Sequence, residues 1–443
     1  MENNKVINDY FDSVNINITH FRMIVLVGIA YFFDIIDNYN FSFISPVLVK
    51  YWDLSLTQIG QINSIFFLGM FFGGLLGGTI SDKFGRKKAF LISIFIFSIF
   101  SIFSGISPNI QIFMIGRFFT GIGVSSLVIV STPYLLEMLP KDNRGRWQAI
   151  SVGAGCIAIP FLSLCIKLVV PLGSQSWRTV YLIGGLGLIV TLLGIRWLKE
   201  SPRWLVSQGK VKEAEMIVEE ITGEKTDLSL IGNSNLEKLS VSKAAKEIFK
   251  KRHIKNTLVL ISIFAISYPA GFIFINWVPI LYNTKGYSIQ ETSSLNLFIS
   301  FGMTLGPFFA SLISDRFGRK ISIIFIAVSS AVLAFIYGNL DNNILIISVA
   351  VILAILIQGN SPITLAYLGE LYPTNIRSIA SGIIYSIGRI TIALVSSIVP
   401  IMNFKFGYLG VFVLMGILMA ITAMTTIIWG KQTSGKSLEE VNA

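Results

Sequence analysis

Twelve long apolar runs, parted by short polar ones, set the pattern of the chain. They fall near 23–49, 58–80, 89–106, 110–138, 148–170 and 178–198, then near 257–283, 291–314, 321–338, 344–371, 379–402 and 406–430. About 20 apolar residues wound as a helix cross a hydrocarbon core roughly 30 Å thick, so each run predicts one membrane-spanning helix. The polar stretch 199–256 parts them into two sets of six. It opens with Ser201-Pro202, the pattern of an N-cap followed by proline at the first helical position. Ala214, Ile217, Val218 and Ile221 then recur at helical spacing beside Lys212, Glu213, Glu215, Glu219 and Glu220, which predicts short amphipathic helices. The expected fold is an all-α polytopic membrane protein. Its expected parts are an N-terminus (1–21), a six-helix half (22–198), a linker (199–256), a second six-helix half (257–430) and a tail (431–443).

Charge orients these helices. Of the 35 Lys and Arg residues, 27 lie in alternate segments: the stretch ahead of the first apolar run (Lys5 and Arg22), 82–88, 139–147, 199–256, 315–320, 372–378 and the C-terminus. The opposite connections hold only Lys50, Arg178, Lys285 and Lys405. Cytoplasmic loops carry such an excess, so both termini and the linker are expected in the cytoplasm of an integral plasma-membrane protein. The net charge of +11 is then mostly topogenic and does not call for nucleic acid. Charged residues make up 13% of the chain, against about 25% in soluble domains, and the mean hydropathy is +0.71. Residues 1–21 are polar and mixed in charge, unlike a cleavable signal. Cys156 and Cys165 share one apolar run, which argues against a disulfide framework or metal cluster. The two histidines, His20 and His253, fall outside the predicted spans, and no Gly-Lys-Ser/Thr phosphate loop occurs. Neither an enzyme nor a cofactor is expected.

The chain also repeats itself. Gly69, Gly73, Gly77, Ser81, Asp82, Phe84, Gly85, Arg86 and Lys87 are matched 233 residues later by Gly302, Gly306, Ala310, Ser314, Asp315, Phe317, Gly318, Arg319 and Lys320. The same shift carries Tyr134, Leu135, Glu137, Pro140 and Arg144 onto Tyr367, Leu368, Glu370, Pro373 and Arg377, and Pro46 onto Pro279. Two parallel copies of a six-helix unit follow, an arrangement of secondary transporters whose substrate site lies near midplane between the halves. Small residues four apart let a neighbouring backbone approach closely. In each Asp-x-Phe-Gly-Arg-Lys turn the Asp can receive hydrogen bonds and the Arg can clamp a carboxylate, with Glu137 and Glu370 as candidate partners. The alternative is that these arginines only fix topology.

Gly78-Thr-Ile-Ser-Asp82-Lys-Phe-Gly-Arg86-Lys-Lys and its echo at Ser314–Lys320 resemble the signature of the major facilitator superfamily. Gly116-Arg117-Phe-Phe-Thr-Gly121-Ile-Gly123 resembles its fourth-helix motif. Glu200-Ser-Pro-Arg203-Trp-Leu and Gly369-Glu370-Leu-Tyr-Pro373-Thr-Asn-Ile-Arg377 resemble sequences that follow helices six and ten in its sugar-porter branch. The resemblance implies the major facilitator fold, alternating access by a monomer, and a cytoplasmic gate drawn from Asp82, Arg86, Asp315, Arg319, Glu137, Arg144, Glu370, Arg377, Glu200 and Arg203. Asp37-Asn-Tyr39-Asn40, Asn276-Trp277-Val-Pro279 and Gly388-Arg389 are similar to motifs of the aromatic-acid and metabolite:proton symporters. Asn38 and Asn40 depart from that pattern, where the family carries glycine and a second carboxylate. The resemblance implies a small-molecule substrate, with protons as the coupling ion.

Ionisable residues inside apolar runs are costly and mark functional positions. At about 1.5 Å of rise per residue, Asp37 lies roughly 21 Å from the cytoplasmic start of the first helix. Arg117 lies roughly 10 Å from the outer start of the fourth. The two depths coincide in the bilayer. A pair that parts and rejoins can take up and release a proton, with Asp34 as the competing carboxylate and a static ion pair as the alternative. Arg389 has no acid in its own run and offers a planar fork to a carboxylate or phosphate; pairing with Asp34 or Asp37 is the other reading. Tyr39 and Trp277 can flank an aromatic or apolar substrate, or simply contribute to packing. The expected function is proton-coupled symport of a small organic anion. A sugar:proton symporter, an organic-cation or drug transporter, and a transporter-like ligand sensor are the alternatives.

Overall fold

The computed structural model describes residues 16–140, 144–228, 247–250, 253–372 and 374–433, with Arg144, Gly145, Asp315 and 374–379 described as backbone only. Among the described residues, eleven helices are long and apolar enough to cross a membrane: Ile18–Trp52, Leu56–Phe84, Arg86–Gly105, Ile110–Met138, Arg146–Leu172, Trp177–Trp197, Ile254–Thr284, Ile289–Ser314, Arg316–Gly338, Asn343–Glu370 and Ala380–Trp429. The last is two spans joined at Gly407, whose φ of 66° and ψ of −169° break the helix. Twelve spans result, each within a few residues of its apolar run. His20, which the apolar pattern puts ahead of the first span, lies in that helix's first turn.

Local chemistry explains the ends and breaks. Asn109 and Asn342 cap the fourth and tenth spans by accepting bonds from the first-turn backbone. Ser288 and Glu291 form a capping box at the start of the eighth. The fifth span breaks at Ile157, between Arg144–Cys156 and Ala158–Val169. Pro160 has no N–H for the Cys156 carbonyl there. The seventh span carries two π-helical turns, Ile263–Ser267 and Ile273–Trp277. Pro269 and Pro279 each stand two residues past the end of a π-turn, and the wider turns make room for their rings.

Contacts group the described residues into two compact units. The first holds the chain up to Asn38, Gly69–Ala158, and the stretch from Arg178 into the linker. In it the second span lies directly on the fourth. A Cβ added at Gly69 or Gly73 would stand 2.1 or 2.2 Å from the carbonyl oxygens of Phe118 and Ile122. The linker begins with helices Pro202–Ser207, capped by Ser201, and Val211–Thr222, which buries Ala214, Val218 and Ile221. Asn17 donates to the Ile221 carbonyl at 2.7 Å, so this helix lies beside the start of the first span.

The second unit holds Tyr39–Leu68, Ile159–Trp177 and the described chain beyond the linker. The eighth and tenth spans repeat the close approach: a Cβ at Gly302 or Gly306 would stand 2.7 and 2.8 Å from the backbone of Val351 and Gly359. The first half of the second span packs on the eleventh, with Ser64 donating to the Ala393 carbonyl at 2.6 Å and its Oγ 3.1 Å from that of Ser397.

Candidate functional site

The Asp82–Arg86 turn is built on Gly85, whose φ of +99° suits glycine. A Cβ there would also collide with the Glu200 carboxylate, at 2.2 Å. The turn aims Arg86 at two acids: Nη1 donates to Asp82 at 3.0 Å and Nε to Glu137 at 3.2 Å. Ser201 donates to the same Glu137 at 2.5 Å, and Glu200 accepts from the backbone N–H of Lys87 at 3.0 Å. The Trp204 indole donates to the Asp82 carbonyl, and Tyr134 to that of Lys199. Arg203 is exposed.

The second unit holds the counterpart. Gly318 has φ +79°, Arg319 reaches Glu370 at 3.3 Å, and Thr433 donates to Glu370 at 2.5 Å. Tyr367 donates to the Lys431 carbonyl, and Gln432 to that of Phe317. Residues just past the last span thus do for Glu370 what Ser201 does for Glu137. The sequence hides this because Ser201 and Thr433 are 232 residues apart, one short of the repeat, and differ in identity. Asp315, Arg144 and Arg377 have side chains outside the described residues.

A second cluster lies deep in the first unit. Asp37 is wholly buried and Arg117 is 1% exposed. The Arg117 guanidinium donates to the Asp37 backbone carbonyl at 3.1 Å and sits 6.0 Å from the centre of the Tyr181 ring. Ser101 of the third span donates to the Asp37 carboxylate at 2.5 Å and lies 2.9 Å from the Tyr181 carbonyl. Gly184 of the sixth span faces the same carboxylate. Asp34, one turn earlier, is buried. Depth along the helices pairs Asp37 with Arg117; nothing in the sequence singles out Ser101, Tyr181 or Gly184.

The third cluster lies in the second unit. Gly388 lets the eleventh span close on the seventh, since a Cβ would meet the Phe264 carbonyl at 2.6 Å. Arg389 is thereby set among aromatic rings: it donates to the Tyr385 hydroxyl, and its guanidinium carbon lies 4.6 Å from the Tyr385 ring centre and 5.9 Å from that of Phe67. Tyr268, within electrostatic reach of Arg389, stacks on Phe264 and lies within hydrogen-bond distance of Ser361 and Thr364. No carboxylate is within ion-pair distance of Arg389 among the described residues. Asn276 and Trp277 lie in the second π-turn, both buried, and Asn360 donates to Ser267. Asn40 is buried, while Tyr39 is partly buried and stacked on Phe43. Phe67, Tyr268, Tyr385 and Asn360 carry no sequence signal of their own.

The profile of a family described as "Sugar (and other) transporter" matches residues 26–443. YyaJ of Bacillus subtilis (strain 168), named for metabolite transport, is 32% identical over 96% of each chain. The niacin transporter NiaP of Acinetobacter baylyi (strain ATCC 33305 / BD413 / ADP1) is 27% identical over 95% of this chain and 96% of its own. Among solved structures, the xylose transporter XylE of E. coli in a partially occluded inward-open conformation superposes with a TM-score of 0.78. It is 20% identical, over 95% of this chain and all of that one.

Proposed function

The chain belongs to the sugar (and other) transporter family of the major facilitator superfamily and is a membrane transporter rather than an enzyme; from that premise we propose that it carries a small organic anion by proton-coupled symport. The observation that carries this reading is Arg389, a cation inside a span, ringed by Phe67 and Tyr385 and without a carboxylate partner among the described residues. Such a charge is expensive in a membrane interior unless something negative joins it. A planar ring bearing a carboxylate fits both the fork and the aromatic surround, and the relative named for niacin transport supports an acid of that kind. Asn40, Tyr39, Asn276 and Trp277 are proposed to complete the binding surface.

Asp37, beside Arg117, is the proposed proton carrier, with Asp34 as its neighbour in reserve. A symported proton offsets the cost of moving an anion against a negative-inside potential. The two Arg–Glu clusters are the proposed cytoplasmic gate, in a monomer of the plasma membrane with both termini inside. The basic charge of the linker and turns supports that orientation.

The test is binding of labelled nicotinate and benzoate, alongside a panel of sugars and organic cations, to the purified transporter. Acids are expected to bind far better than their neutral amides. Arg389→Lys keeps the charge but loses the fork, and should weaken the acid by about tenfold; Arg389→Gln should weaken it further. Equal binding of acid and amide, or full affinity in both variants, refutes the organic-anion reading. A sugar is the second reading, favoured by the neutral hydrogen-bonding set Ser267, Asn360, Ser361 and Thr364, and the same panel would reveal it.

A further inference from the structure

The Asp37 carboxylate has two neighbours with no part in the sequence motifs. Ser101 Oγ lies between two acceptors, 2.5 Å from Asp37 Oδ1 and 2.9 Å from the Tyr181 carbonyl oxygen. A hydroxyl has one hydrogen and two lone pairs, so it can donate to only one of these at a time. Gly184 leaves the space both groups occupy: a Cβ there would stand 2.5 Å from Ser101 Oγ and 2.8 and 2.9 Å from the two carboxylate oxygens.

We propose that Ser101 is the positioning residue that keeps Asp37 Oδ1 hydrogen-bonded in both protonation states of the carboxyl group, and that Gly184 is the gap that permits it. The inference rests on the reading of Asp37 as the proton carrier. With Asp37 charged, the Ser101 hydrogen points at Oδ1. When a proton from water bonds to Oδ1, the new O–H donates to Ser101 Oγ, and the Ser101 hydrogen turns to the Tyr181 carbonyl. Ser101 keeps its own proton throughout, and the only net change is one proton gained by Asp37. A buried carboxyl group pays heavily for a missing partner in either state. One rotating hydroxyl supplies that partner without any helix moving. Arg117 and Tyr181, on other helices, both interact electrostatically with Asp37, and Asp34 is buried one turn earlier on its own helix. Arg117 and Tyr181 contribute to the field around the carboxyl, whereas Ser101 bonds to it and Gly184 leaves it room.

The test is infrared difference spectroscopy of the full-length transporter in lipid vesicles, titrated from neutral to acid pH. The carbonyl stretch of protonated Asp37 is identified as the band that Asp37→Asn abolishes. Ser101→Ala is expected to shift that band in frequency and to move its titration midpoint by about one pH unit towards alkaline, because the charge-assisted bond it removes is the stronger of the two. Ser101→Thr should restore both. Gly184→Ala should displace the band while Ser101 is still present. If Ser101→Ala does not fold, Ser101→Cys, a weaker donor of similar shape, should shift the midpoint in the same direction by less. Band position and midpoint unchanged in the Ala or Cys variant would overturn the role of Ser101 and leave Asp37 as the carrier. If Asp37→Asn abolishes no band, the proton-carrier reading fails and takes this inference with it.

Discussion

Asp37 and Arg389 illustrate what single residues reveal. An ionisable side chain in an apolar run is visible at once, and helix rise alone brings Asp37 level with Arg117, whose guanidinium touches the Asp37 backbone. Their surroundings were not legible. Ser101 is one of many serines in the spans and Phe67 one of 34 phenylalanines, and which of them faces a buried charge depends on helix rotation and tilt. Those are set by packing across helices distant in sequence. At this scale, Asp37→Asn is expected to abolish uphill uptake driven by a pH gradient while leaving measurable counterflow of the same acid. Exchange needs only a loaded carrier to reorient, whereas accumulation needs a site that loads and unloads a proton. Uphill uptake that persists in Asp37→Asn would exclude it as the carrier.

At the scale of elements, the second and fourth spans meet through Gly69 and Gly73, the eighth and tenth through Gly302 and Gly306. The 233-residue repeat in the sequence is thus a repeat of close backbone contacts. Because the clash at Gly73 is with main chain rather than a flexible side chain, Gly73→Leu must push two helices apart. A loss of about 1–3 kcal/mol, or of folded protein altogether, is expected in thermal unfolding followed by size-exclusion chromatography. Gly78, where a Cβ meets nothing within 4 Å, should tolerate Gly78→Ala and serve as the control. Span number and boundaries could be read from apolar length because hydrocarbon thickness fixes that length. The π-turns of the seventh span could not, since a one-residue widening leaves composition and length unchanged. The Thr433–Glu370 bond was hidden for a related reason: the repeat slips by one residue where the last helix ends.

For the whole molecule, alternating access requires some contacts to form and break in every cycle, and the Ser64–Ser397 approach at 3.1 Å is a natural place to intervene. In a background without Cys156 and Cys165, Ser64→Cys combined with Ser397→Cys would put two sulfurs where two hydroxyls now meet. Oxidation should then stop exchange of labelled acid, and reduction should restore it. Unimpaired exchange after complete cross-linking would mean that these two helices never part. Ser64 lies in the half of the second span farther from the Asp82 turn; with that turn cytoplasmic, as proposed above, a membrane-impermeant reductant should release the block when added outside and not when trapped inside. That makes a contact between two serines a starting gate: the cross-link would gather every carrier in one conformation, and reductant would release them all from the same point in the cycle.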